Sequence, residues 1–340
     1  MTAVVAKRRT GDRGIWAQML RSPAVRLVVK RLLLAIPIML GVTILTFWVI
    51  NLIPGNPAQA LLGPEATPDQ IRAMEIQMGL DRPAHERYLE WLGGAVQGDL
   101  GTSLINRQPV ATQIVDRLAV TGELVTLTLV GALACAVPLA LVAARRPGGP
   151  FDRLVTVVNV TGLSMANYVL ALLLVLVFSV TLGVLPAIGF VPLTESVGRN
   201  LSSMVLPSVA LGFPLMCVYT RFLRADLVDQ MQGQDYVVTA RAKGVNPWQV
   251  LVRHALRNSS YGLIALVGLN MGTLIGVTVI IEQIFALPGT GQLLLSAINS
   301  RDVVLIQGVV VFFAVVTVLG NLAADLLQTV LDPRIRYGDR

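Results

Sequence analysis

The sequence predicts an all-α polytopic membrane protein with six transmembrane helices and both termini on the cytoplasmic side. Three observations carry this expectation. Hydrophobic residues make up 54% of the 340-residue chain and charged ones only 14%, against about 25% charged in an ordinary soluble domain; mean hydropathy is +0.69. Six uncharged stretches long enough to cross a bilayer recur along the chain. Basic residues fall mostly on one side of them.

The first stretch, 32–53, has 22 uncharged residues after a basic tail. A signal-peptide core runs to about 15 residues and a spanning helix needs about 20, so this segment is expected to be a retained first span. The others are 124–144, 154–182, 201–220, 259–281 and 303–324, all rich in Leu, Val and Ile. Each such residue contributes roughly −0.3 to −0.6 kcal/mol to insertion at the span centre. The third run stays uncharged to Thr194, but Gly183, Pro186, Gly189 and Pro192 end the predicted helix near Leu182. Pro207, Gly212 and Pro214 lie inside the fourth; neighbouring helices can re-satisfy the freed backbone groups there, so a kinked span is expected.

Six spans place both termini on one side, and Lys and Arg decide which. Of the 27, only Arg72, Arg82, Arg87, Arg107, Arg117, Arg199 and Arg301 fall on the face opposite the termini. The excess of positive charge in the tails and the other loops places those segments in the cytoplasm. The expected division is a basic cytoplasmic tail, 1–31, a six-span domain, 32–328, and a cytoplasmic tail, 329–340. Within the domain, 54–118 forms an extracytoplasmic segment and 223–258 a cytoplasmic loop. In the outer segment "TPDQ", Thr67–Gln70, predicts a capping box with Pro68 at the first helical position. One short helix is expected to about Met78, and a second over roughly 83–92, before Gly93 and Gly94. Two small helices make a cap or docking surface and are too little for a catalytic domain.

The net charge of +7 follows from topology, so no nucleic-acid partner is implied. Cys135 and Cys217 sit in apolar runs and are expected to be small buried hydrophobes. None of the three lysines, Lys7, Lys30 and Lys243, lies in a phosphate-binding GxxxxGK[ST] loop. His85 and His254 have no zinc-site spacing, and GxSxG is absent. No catalysis and no metal site are expected in this chain. The spans are nearly free of ionisable groups, which argues against an ion relay. Glu123, Glu282 and Asp325 lie at or just past span ends and are read equally well as relay groups or as helix-end charges within reach of the interface. Asn159, Asn167, Asn270 and Asn321 either line a path for a solute or join helices by hydrogen bonds. With no ion relay and no ATP site, active transport would need energy from another chain.

One cytoplasmic stretch, "DYVVTARAKGVNPWQVLVRHALRN" at 235–258, is basic and broken. Tyr236 and Ala240 fall on one helical face. Gly244 sits where a helix exits through a left-handed residue. Asn246 is a good cap and Pro247 a good first residue for a second helix, with Val245 and Val250 forming a staple. Helix, tight turn, helix is expected. The segment either lies on anionic lipid, binds DNA, or seats in a groove on a cytoplasmic partner; paired half-site DNA binding is out of keeping with a tether between two spans.

"TARAKG" (Thr239–Gly244) followed by "HALRN" (His254–Asn258) resembles the EAA loop of binding-protein-dependent ABC importer permeases. Thr239, Ala240 and Arg241 stand in for EAA, followed by Gly244, and His254 to Arg257 stand where the family has I-x-L-P. These departures resemble the dipeptide/oligopeptide branch. So do "IPGNPA" (53–58), "MGLDRP" (78–83), "RYLEWL" (87–92), "GDLGTS" (98–103), "FALPGTG" (285–291) and "LDPRIR" (331–336). The resemblance implies a type I importer permease that forms half of a translocation pathway for di- or oligopeptides. Relatives in this branch also carry nickel chelates, glutathione or oligosaccharides; a stand-alone carrier or channel is the other class open to such a chain. The implied partners are a homologous second permease, two ATPase subunits holding ATP and Mg, and an extracytoplasmic binding protein. Tyr236, Thr239, Ala240, Arg241, Ala242, Lys243 and Gly244 would then contact an ATPase, supported by Asn246, Pro247, His254 and Arg257. Asn167, Asn270 and Asn321 would line the path, and Phe285, Pro288, Gly289 and Gly291 would meet the binding protein.

Overall fold

The computed structural model describes residues 23–52 and 57–331. Among them the chain is helix and turn, apart from one antiparallel bridge between Thr102 and Pro109. The helices are α1 (Pro23–Leu52), α2 (Pro57–Leu62), α3 (Pro68–Gln77), α4 (Ala84–Val96), α5 (Val110–Arg145), α6 (Pro150–Ser164), α7 (Asn167–Leu174), α8 (Val197–Gly233), α9 (Asp235–Ala242), α10 (Pro247–Val250), α11 (Leu256–Ile284), α12 (Thr290–Asn299) and α13 (Val303–Leu331). Wider π-helical turns extend α7 over Val175–Thr181 and join α10 to α11 over Leu251–Ala255.

Five helical stretches are long and apolar enough to cross a membrane: Val28–Ile50, Val110–Arg145, Val197–Gln232, Pro247–Ile284 and Val303–Leu327. Pro207 and Pro214 do not interrupt α8. The expected third span, 154–182, is where the structure departs. It is two helices, α6 and α7 with its extension, meeting at 104°. Met165 and Ala166 are both extended (ψ 130° and 137°), so the helical ladder stops for two residues. The uncharged run looks the same on both sides of the break, and composition alone therefore reads straight through it.

α5 and α8 form the most extensive helix pair, with α11 packed on α8 and α13, and α1 on α13. Leu124, Met204, Leu211, Ile281, Phe285 and Leu287 belong to one core cluster; Tyr219, Leu223, Leu227 and Leu251 belong to another. Small residues set the closest crossing. A Cβ at Gly268 would lie 1.9 Å from that of Ala324, the close backbone approach that glycine permits between membrane helices. Gly268→Val is expected to pry α11 from α13 at a cost of about 3 kcal/mol, read as a lowered unfolding temperature in detergent. Outward-facing Leu33, Ile36, Leu45, Val157, Val160, Leu172, Leu176 and Val180 are all exposed, an apolar surface suited to lipid or to partner helices. Cys217 is buried as expected, whereas Cys135 is exposed on α5. An apolar run on a spanning helix has an outer face as well as an inner one, and Cys135 falls on the outer.

The segment between α1 and α5 follows its capping signal. Thr67 and Gln70 exchange both hydrogen bonds, at 2.9 and 3.4 Å, and α3 begins at Pro68. Thr67→Ala is expected to cost about 1 kcal/mol, visible as faster amide exchange in the first turn of α3. α4 does not stop before Gly93 but runs to Val96. Helical glycine costs only about 1 kcal/mol, and at Gly94 it leaves room for the Asp99 carbonyl, 3.1 Å from where a Cβ would stand. The segment is anchored on α1: the Tyr88 ring packs on Phe47, and its hydroxyl is 2.9 Å from that of Thr43. Ser103 donates to the buried Asp302 carboxylate, which also accepts from Leu305 N–H at 3.1 Å and so starts α13.

Candidate functional site

α9 is joined to the end of α8 by a single extended residue, Gln234. The Tyr236 hydroxyl donates to Gln230 Oε1 at 2.7 Å across that joint. Val237 and Ala240, one helical turn apart, are buried with Val250, and Met231, Tyr236 and Val245 pack around them. The exit is a glycine turn. Gly244 has φ +76°, Val245 N–H bonds the Ala240 carbonyl at 3.1 Å, and Asn246 Oδ1 caps Trp248 N–H at 2.9 Å. The predicted second helix begins at Pro247, but it is not separate: α10 continues through the π turn into α11. The turn therefore ends directly on a membrane helix. The His254 ring lies 6.5 Å from that of Tyr236, and the Arg145 guanidinium lies 5.9 Å from the Trp248 ring centroid.

This bed decides which face looks outward. Ala240 and Val237 are turned in, while Val238, Thr239, Ala242, Lys243 and Gly244 are exposed. Asn246, Pro247, His254 and Arg257 are also exposed. The side chain of Arg241 lies outside the described residues. Val238, 66% exposed, was missed from the sequence. Adjacent residues are about 100° apart on a helix, so a narrow contact face takes one of Val237 and Val238 more deeply than the other, and periodicity over eight residues does not choose between them.

At the other end of the bundle, the loop 285–289 folds over a carboxylate. Glu282 is fully buried. It accepts from Thr121 Oγ at 2.8 Å and from the backbone N–H groups of Gly291 and Gln292 at 2.8 and 3.0 Å. Thr121 Oγ also accepts from Thr290 N–H at 2.9 Å. Anionic oxygens at the start of α12 complement its unpaired N–H groups. A Cβ at Gly289 would lie 2.4 Å from the carboxylate, and one at Gly291 would lie 2.5 Å from Val279 Cα. Both glycines are therefore required by close approach. Glu282 lies in the last turn of α11, the helix-end position expected of it, but it is enclosed by the chain rather than open to solvent. Of the four residues read as contacts for a binding protein, Phe285, Gly289 and Gly291 are buried within this chain and Pro288 is partly so; they shape the loop from inside.

The asparagines sit on four different helices. Asn159 is buried in α6. Asn167 opens α7 just after the bend. Asn270 donates to its own helix, to the Leu266 carbonyl at 3.0 Å. Asn321 lines a cleft of about 460 Å³ shared with Phe222, Gly262, Leu266 and Asp325. At that cleft Arg31 pairs with Asp325 at 2.6 Å, joining the start of α1 to the end of α13.

The comparisons with known proteins agree with this architecture. The family "Binding-protein-dependent transport system inner membrane component" matches residues 136–337, and its N-terminal companion matches 24–125. A Brucella abortus (strain 2308) protein, provisionally named a peptide transport system permease protein, is 39% identical over 311 residues, covering 92% of this chain and 99% of that one. The glutathione transport system permease protein GsiC of Escherichia coli (strain K12) is 36% identical over 310 residues, covering 91% and 98%. A packed set of long apolar helices carrying a seated glycine-turn loop, with matches running nearly end to end, leads to one conclusion: this chain belongs to the family of inner-membrane permease subunits of binding-protein-dependent ABC importers.

Proposed function

We propose that this permease forms half of a pathway for di- and oligopeptides delivered by an extracytoplasmic binding protein. The observation that carries the solute class is the pair of relatives matched end to end, one named for peptide transport and one for glutathione, itself a tripeptide. Both termini are cytoplasmic: the bias of Lys and Arg supports the orientation, and the Arg31–Asp325 pair supports a shared side. The exposed face of α9, Val238, Thr239, Ala242 and Lys243 with Gly244 behind it, seats in a groove of an ATPase subunit. Its support is a rigid bed beneath an exposed, short and partly apolar surface tied directly to two spanning helices. Two ATPase subunits supply ATP and Mg, and a homologous permease supplies the other half of the path. The binding protein meets the outer segment, where Ile76, Leu89 and Val96 are exposed, along with the exposed side of 285–302.

The test is reconstitution of the importer with its second permease, ATPases and binding protein in proteoliposomes. Radiolabelled dipeptides, tripeptides and glutathione are offered beside a nickel chelate and a maltooligosaccharide. Uptake of peptides that requires both ATP and the binding protein is expected. Uptake confined to the chelate or the sugar would overturn the solute class. Uptake by this chain alone, without ATPases, would overturn the importer mechanism in favour of a stand-alone carrier.

A further inference from the structure

Asp152 is 4% exposed at the first turn of α6, and its carboxylate is gripped by Arg224 of α8. Arg224 Nε donates to Oδ1 at 2.8 Å and Nη2 to Oδ2 at 2.6 Å. Gly148 N–H adds a third bond at 2.8 Å. A bidentate guanidinium–carboxylate pair fixes orientation as well as distance. From this clamp onward α6 lies directly on α8. Cys217 Sγ approaches the Val158 carbonyl at 3.9 Å, and a Cβ at Gly162 would lie 2.5 Å from Cys217 Sγ and 2.8 Å from the Phe213 ring. Immediately beyond Gly162 and Ser164 the helix breaks, and α7 departs at 104° with Asn167 at its start. At the opposite end α8 leads through one residue into α9.

These contacts link α9 to the break, and α7 beyond it also packs on α8 and α11. α9 stands on the end of α8, α8 is clamped to α6, and α6 ends at a two-residue gap with no helical ladder. Such a gap absorbs backbone rotation, while packed helices on either side move as rigid pieces. We propose that the Asp152–Arg224 pair is a positioning clamp that makes α6 move with α8, so that displacement of α9 is delivered to residues 165–166 and swings α7 with Asn167. The inference rests on the reading of α9 as the ATPase contact.

The experiment follows the swing in the reconstituted importer. Spin labels are placed at the exposed positions Val160 and Leu176, in a Cys135→Ala background, and the α6–α7 distance is measured without nucleotide and after trapping with ATP and vanadate. The change seen with the native pair is expected to be lost in Asp152→Asn and partly restored in Arg224→Lys when it is compared with Arg224→Gln. Solute moved per ATP hydrolysed should fall about tenfold in Asp152→Asn, with basal ATPase activity retained; a merely structural role would lower both together. An unchanged distance response in Asp152→Asn, or no response with the native pair, would overturn the clamp. Should Asp152→Asn not assemble, Arg224→Gln carries the same comparison. Gly244→Trp separates the two ideas: if it leaves nucleotide-driven motion and uptake intact, the reading of α9 fails. If it abolishes them while Asp152→Asn does not, only the clamp fails.

Discussion

Gly244→Trp is expected to leave the permease inserted and folded while ATP-driven uptake falls about a hundredfold, equivalent to ~2.7 kcal/mol of lost coupling. Gly244 has φ +76°, a conformation costing an ordinary L-residue about 1–2 kcal/mol. A bulky side chain relieves that strain by shifting the turn. The bond from Val245 to the Ala240 carbonyl then breaks, and the exposed face of α9 moves relative to Val237 and Val250. The first side-chain atom meets no clash, since nothing lies within 4 Å of a Cβ at Gly244. Gly244→Asn is the companion variant: asparagine tolerates the left-handed region, and most uptake should survive. The measurements are peptide uptake and ATPase activity in proteoliposomes, with size-exclusion chromatography reporting assembly. Normal uptake by the Trp variant would remove α9 from the energy path.

Glu282→Ala is expected to destabilise the protein by on the order of 4 kcal/mol, because two backbone N–H groups and the Thr121 hydroxyl lose their buried acceptor. The loss should concentrate around α12, which this carboxylate holds. Thermal unfolding in detergent reads the magnitude, and protease nicking within 285–302 reads the location. Glu282→Gln should fall between, since an amide keeps one acceptor oxygen but turns an NH2 towards donors. Gly291→Ala probes the same contact from the other side, its Cβ meeting Val279 Cα at 2.5 Å. Wild-type melting of Glu282→Ala would mean the carboxylate does not hold α12.

Much of the fold was legible because membrane insertion writes itself in composition. Long uncharged runs have no soluble alternative, so five spans appear where hydropathy places them, and the capping box at Thr67 appears because its bonds are local. Legibility failed wherever a distant partner decided the outcome. Nothing near Glu282 in the sequence announces that Thr121, some 160 positions earlier, will cover it. The resemblance carried by "FALPGTG" implied contacts for a binding protein, but not why its glycines are there; they are small because a carboxylate and a helix backbone occupy the space beside them. Within 235–258 the turn was readable from Gly244, Asn246 and Pro247, yet the choice of Val237 over Val238 as the buried residue required the bed formed by Met231, Tyr236 and Val250.

By itself the sequence determined an all-helical, membrane-crossing permease with a basic, glycine-broken loop, since hydrophobic run length, capping chemistry and turn residues act over a few neighbouring positions. Only the tertiary structure decided that the third span is two helices at 104°, that Asp152 is locked to Arg224, and that Glu282 is an internal cap. Each depends on groups far apart in the chain meeting in a low-dielectric interior, where an unpaired carboxylate is costly and a paired one fixes how helices sit.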